Sequence, residues 1–120
     1  MALQLQAINF DCADVAAQAA FWSEALGLPI DETDGNDFMR TLGFGNAELP
    51  RMMLLAVPEG KTVKNRLHLD FHSGDRAAEV ARVVALGATH LRDHDEFGFR
   101  WSVLADPEGN EFCIAQDGEH

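Results

Sequence analysis

In the stretch Arg66-Leu67-His68-Leu69-Asp70-Phe71-His72, polar and apolar residues alternate strictly. Side chains of a strand point to opposite faces with period 2, so the pattern predicts a half-buried β-strand over His68 to His72. Leu67, Leu69 and Phe71 then face a helix, while two imidazoles and a carboxylate share the other face. An imidazole titrates near neutral pH, so His68 beside Asp70 is a candidate acid/base pair or ligand-contacting group. The plainer alternative is that Asp70 and His72 meet solvent or hydrogen-bond their neighbours at a rim.

The segments that must position this face follow from the rest of the chain. Leu3 to Asp11 alternates and predicts a strand, with Leu5, Ile8 and Phe10 as core candidates. Asp14 is a good N-cap for a helix from Val15 to Leu26, anchored by Phe21, Trp22 and Leu26 and ended by Gly27 and Pro29. Asp31 to Asp37 reads as a turn, Phe38 to Phe44 as a strand, Gly45 to Pro50 as a loop and Arg51 to Val57 as an apolar strand. Lys61 to Asn65 is the best internal linker. After the strand at His68, Asp75 caps a helix from Arg76 to Leu86, closed by Gly87, with Ala78, Val80, Ala81, Val83 and Val84 available for packing. Thr89-His90-Leu91 suggests a short strand and Asp93-His94-Asp95-Glu96 an acidic turn. Phe99 to Leu104 is a strand, Asp106-Pro107-Glu108-Gly109-Asn110 a tight turn, and Glu111 to Ala115 the last strand.

The two halves superimpose in sequence. Phe10 and Phe71 are 61 positions apart, as are Asp14 and Asp75, and Phe38 and Phe99; Gly27 and Gly87 are 60 apart. A held offset of this kind marks an internal duplication. The expected fold class is α+β, with two tandem βαβββ modules pairing into a curved-sheet cup. Module one spans about 1–60, the linker about 61–65 and module two about 66–117 of a single domain.

With strand-Asp-helix, Phe21-Trp22 followed by Leu26-Gly27, the repeat near 60 and Leu104-Ala105-Asp106-Pro107-Glu108-Gly109-Asn110-Glu111-Phe112, the chain resembles the glyoxalase/bleomycin resistance protein/dioxygenase (vicinal oxygen chelate) superfamily. More narrowly it is similar to glyoxalase-like domain proteins. The resemblance spans nearly the whole chain. It implies the glyoxalase/bleomycin resistance fold and a choice among lyases, isomerases, dioxygenases and ligand-sequestering proteins. It also implies a divalent metal held by a His and a carboxylate from each half, acting as a Lewis acid. Those ligand positions fall on Ala7, on an aliphatic residue between Met53 and Leu55, on His68 and on Cys113. Only His68 survives, so the resemblance argues against the family metal, and no cofactor is expected. A rearranged site remains open: His68, Asp70 and His72 lie on one strand face, about 7 Å apart at alternate positions, and Cys113 would add a soft ligand.

Asn9 and Asp11 share the parity of Ala7 and are further candidates for the cup, or else solvated strand ends. Trp101 and the Phe97/Phe99 pair stand where the superfamily lines its cleft with aromatics; a strand aromatic is more often core. Cys113 reads as a buried, inert thiol, since no adjacent base is visible. His94 reads as a solvated turn residue or part of a lid.

The formal charge of -11 excludes nucleic acid and anionic membrane surfaces as expected partners. No apolar run approaches a membrane span, and Met1-Ala2-Leu3-Gln4 opens no signal peptide, so a cytoplasmic, reduced protein is expected, with Cys12 and Cys113 as free thiols. The first reading is a metal-free binding protein, in a homodimer, that holds an apolar or aromatic ligand, with Asn9, Asp11, His72, Trp101 and Cys113 as contacts. The second is a lyase or isomerase using His68 and Asp70.

Overall fold

A computed structural model describes residues 3–31, 38–43 and 51–118. The order of elements is β1 (Ala7–Cys12), α1 (Val15–Leu26), β2 (Met39–Leu42), β3 (Arg51–Ala56), β4 (Leu69–Ser73), α2 (Arg76–Leu86), β5 (Thr89–Glu96), β6 (Phe99–Ala105) and β7 (Glu111–Gln116). Backbone packing divides the chain into two compact units, Met1–Gly60 and Lys61–His120.

The first unit carries a three-stranded sheet in the order β1-β3-β2, parallel between β1 and β3 and antiparallel between β2 and β3. Its helix begins where Asp14 accepts from the Ala17 amide at 3.0 Å, and ends at Gly27, whose φ of 68° only a residue without Cβ adopts freely. Val15, Gln18, Ala19 and Trp22, at i, i+3, i+4 and i+7, form the buried stripe, which Phe21 widens. Trp22 is edge-on to both Phe10 and Phe21, at 5.3 and 5.1 Å between centroids. Leu42, Met52 and Leu54 complete the core. Leu5, expected inside, lies exposed ahead of β1, where the described pairing with β3 begins only at Ala7. Phe38 lies just before β2 and is exposed. The predicted turn over 32–37 and loop over 44–50 lie outside the described residues.

The second unit repeats the plan, with one more strand among the described residues, in the order β4-β7-β6-β5. Again the first strand pairs in parallel with the last, and the preceding strand runs antiparallel to it. Asp75 accepts from the Ala78 amide at 3.1 Å, the counterpart of the Asp14 cap. The helix buries only Val80 and Val83 fully, while Ala78, Ala81 and Val84 turn outward. A helix resting on a sheet hides one stripe, here Arg76, Val80 and Val83, and residues one position off it rotate by 100° towards water.

Three expectations about local structure change. His68 stands one residue before β4, not inside it, and Leu67 is exposed. The segment Asp93 to Glu96 is no turn: β5 continues through it and pairs with Phe99 to Ser102. The chain reverses instead at Phe97 and Gly98, both at positive φ (57° and 80°), as a two-residue hairpin of right-handed twist requires. Acidic residues suggested a turn, yet the pairing partner Arg100 faces Asp95 with Nε 3.4 Å from its carboxylate. Cross-strand pairing thus outweighed local propensity.

Candidate functional site

The Asp106-Pro107-Glu108-Gly109-Asn110 turn sets the site's geometry. Asp106 is buried, and one carboxylate oxygen accepts from the amides of Glu108 and Asn110 at 2.9 and 3.0 Å. Its other oxygen accepts from the Asn110 side chain at 3.1 Å, and the Asn65 side chain accepts from the Glu111 amide at 2.9 Å. Lys64 adds an ion pair to Glu111 at 2.8 Å. The hairpin register between β6 and β7 is thereby fixed, placing Cys113 opposite Val103, while Asp70 of β4 lies opposite Cys113 on the other side. Because alternate residues share a face, Asp70, Cys113, Trp101 and Ala115 project together from the sheet side away from α2.

There they bound a cavity of about 610 Å³, lined by His68, Asp70, Phe71, Glu96, Phe97, Phe99, Arg100, Trp101, Cys113 and Ala115. In its lining His68 Nε2 is 3.4 Å from Asp70 Oδ1. The donor atoms of His68, Asp70 and Cys113 all lie within 4.8 Å of one another. Cys113 is buried while His68 and Asp70 are exposed. Burial, then the Asp70 charge and its hydrogen bond, push the Cys113 thiol up to about 11, so it is protonated at neutral pH and a poor nucleophile. Trp101 is stacked on His94 at 4.8 Å between centroids, with the rings 20° apart, which holds its indole in one orientation. Phe97 and Phe99 stand at the hairpin end of the cavity and are exposed.

The structure therefore brings together His68, Asp70, Cys113 and Trp101. His72 shares their face but lies outside the cavity lining, with Nδ1 2.8 Å from Asp117 Oδ1. Asn9 and Asp11 belong to the first unit, on the exposed face of β1, while Ile8, Phe10 and Cys12 turn the other way. His94, expected in a turn or lid, is a half-buried strand residue. The duplication extends to register: Asn9 is opposite Met53 as Asp70 is opposite Cys113. The first unit's counterparts of His68, Asp70 and Cys113 are thus Ala7, Asn9 and Met53.

Sequence reasoning missed Glu96 and Arg100 of the lining, and it missed a polar network on the helix-facing side. There Ser102, fully buried, accepts from Arg76 Nη1 and donates to Asp93, each at 2.6 Å, while His90 Nε2 lies 2.7 Å from the same carboxylate. The hydrogen bonds from Ser102 and His90 hold the Asp93 carboxyl below the usual range. Ser102, a hydroxyl between the apolar neighbours Trp101 and Val103 of β6, is the sequence signal that could have marked it.

This duplicated α+β architecture, with seven strands in two sheets and two helices among the described residues, is that of the glyoxalase/bleomycin resistance proteins. A family model described as glyoxalase-like domain matches residues 7–115, and the chain belongs to that family within the vicinal oxygen chelate superfamily. Among solved structures it is similar to a glyoxalase/bleomycin resistance protein/dioxygenase family enzyme from Burkholderia phytofirmans PsJN, at 23% identity and a TM-score of 0.76 over 95% of this chain and 98% of that one. It is also similar to a mutant of a genomically encoded fosfomycin resistance protein from Listeria monocytogenes complexed with Mn(II) and 1S,2S-dihydroxypropylphosphonic acid, at 13% identity and 0.77 over 96% and 90%. A lactoylglutathione lyase from Agrobacterium tumefaciens aligns at 17% identity and 0.65 over 95% and 93%. At these identities the likeness is one of fold. No curated protein sequence matches the chain. Among the described residues, no helix is long and apolar enough to cross a membrane.

The hard divalent cation that the superfamily implies does not suit the residues present. Such ions take mainly oxygen donors at near-octahedral geometry, whereas the corresponding positions hold Ala7, Met53 and a protonated thiol beside the single His68.

Proposed function

We propose that this protein binds a small, largely apolar or aromatic molecule in the cavity of its second unit. The observation that carries the reading is a roomy cavity lined by the aromatics Phe97, Phe99 and Trp101, with His68 and Asp70 among its polar lining groups. A volume of about 610 Å³ lies within the usual range for small-molecule sites. A flat ligand would stack on Trp101, already held by His94, at little entropic cost. His72, on the same strand face as Asp70, stays in the proposal as a rim contact of this cavity, while Asn9 and Asp11 are proposed only as polar contacts on the exposed face of β1 in the first unit. The homodimer and the cytoplasmic location are likewise proposals, the first tested by light scattering of the purified chain.

The test is titration with Nile red, a neutral planar dye unaffected by the net charge of -11. Saturable binding near one dye per chain, weakened about tenfold or more by Trp101→Ala, is the expected result. Trp22 is buried in the first unit and serves as the internal fluorescence reference. Absent saturation, or equal affinity in Trp101→Ala and Phe99→Ala, would overturn the reading.

The 3.4 Å approach of His68 to Asp70 in the cavity lining favours a second reading, a lyase- or isomerase-type enzyme. The carboxylate would orient the imidazole, which would take a proton from carbon next to a carbonyl. On this reading His68→Ala abolishes deuterium exchange into a bound carbonyl compound yet leaves Nile red binding intact; equal loss of both would reduce His68 to a binding group.

A further inference from the structure

We propose that His68, Asp70 and Cys113 form a site for one thiophilic divalent cation, Zn²⁺ or an ion of similar softness, built entirely within the second unit. The site goes beyond the ligand-binding reading and stands whether or not that reading holds.

Geometry comes first. Zn²⁺ bonds nitrogen and carboxylate oxygen at about 2.0–2.2 Å and thiolate sulfur at about 2.3 Å in tetrahedral arrangement, which sets its donors roughly 3.3–3.7 Å apart. His68 Nε2 and Asp70 Oδ1 are already 3.4 Å apart, and the widest of the three separations is no more than 4.8 Å. The remaining closure falls to the two side chains free to move: those of His68 and Asp70 are 50% and 73% exposed. The third donor is fixed, since Cys113 is buried in β7 opposite Asp70 in a register pinned by the Asp106 turn.

Donor chemistry decides the class of ion. One imidazole, one carboxylate and the thiolate left when the incoming ion displaces the Cys113 proton to water supply two negative charges, which balance a dication. A sulfur donor selects against Mg²⁺ and Mn²⁺ and in favour of Zn²⁺ or Cd²⁺. Three protein ligands leave a fourth position, and these residues border the cavity beneath Trp101 and Phe99, so that position opens to the cavity. Three ligands and one open site is the pattern of ions that bind water or an exogenous donor. The first unit has no second copy, because its corresponding residues Ala7, Asn9 and Met53 offer no comparable donors.

The experiment uses the full chain, stripped with chelator, titrated with Co²⁺ by absorbance and with Zn²⁺ by calorimetry. One ion per chain and a sulfur-to-cobalt charge-transfer band are expected. Cys113→Ser removes the band, and His68→Ala and Asp70→Asn each weaken Zn²⁺ about tenfold or more. Cys12→Ser leaves both signals unchanged, as does Trp101→Ala, and millimolar Mg²⁺ does not compete. No stoichiometric binding, or a band that survives Cys113→Ser, would overturn the proposal. Circular dichroism of each variant separates lost ligands from lost fold. Nile red binding without the cobalt band would sink the metal site alone, and the reverse would sink the ligand reading alone.

Discussion

Replacing Asp70 by Asn should make Cys113 more reactive, even though the substitution adds no base and opens no path. The thiol is raised from 9.0 to about 11 by three causes, burial first, then the Asp70 charge and the Asp70 hydrogen bond. Asn removes the charge and weakens the hydrogen bond while leaving burial in place. At pH 8 a thiol of pKa 9.0 is about one part in ten ionised, and one near 11 about one part in a thousand, so full relief would raise the thiolate about a hundredfold. Nucleophilicity falls as basicity falls, with a Brønsted slope near 0.5, which halves that gain on a logarithmic scale to about tenfold. Since burial is the largest cause and survives, the expected acceleration is about two- to fivefold. The assay is iodoacetamide labelling at pH 8 in the presence of chelator, followed on the Cys113 peptide by mass spectrometry so that Cys12 does not contribute. The Asp70 side chain is largely exposed, so Asn should not unfold the chain. An unchanged or slower rate in Asp70→Asn would refute the argument that this carboxylate governs the thiol.

Ser102→Ala should destabilise the protein by about 1–2 kcal/mol in urea unfolding, because the buried hydroxyl bridges Arg76 and Asp93. Asp93 titrates below its ordinary value in the folded chain. Its contribution is therefore present above the unfolded carboxyl pKa and is lost as pH falls through the lowered one. The destabilisation caused by Ser102→Ala should accordingly shrink as the pH is taken below 4, and a constant difference down to pH 2 would contradict the assignment. The two helix caps supply a matched pair: Asp14→Ala and Asp75→Ala should each cost about 1 kcal/mol, and a cap whose removal has no effect on the melting temperature would show that its helix start is held by packing instead.

The sequence by itself determined the elements and the duplication, for reasons that are local. Asp14 and Asp75 cap helices because a short carboxylate reaches unpaired amides three residues on, and the offset of 61 follows once both caps are seen. The Asp-Pro-Glu-Gly-Asn turn is equally local, its hydrogen bonds confined almost wholly to five consecutive residues. The alternation about Asp70 was legible too and marked His68, Asp70 and His72, while Trp101 and Cys113 stood out only through the resemblance to the superfamily. Other features depended on partners distant in the chain. Asp93 to Glu96 reads as a turn until Phe99 to Ser102 pairs with it, and Leu5 reads as core although it stands exposed two residues ahead of β1. His72 and His68 are indistinguishable by parity; Asp117 engages one, while the register that places Cys113 opposite Asp70 draws the other into the site. Only tertiary structure decided that a nitrogen, an oxygen and a sulfur from positions 68, 70 and 113 converge within 4.8 Å. Strand pairing brings residues 43 positions apart into one row, and period 2 alone says which face a side chain takes but never what stands opposite it.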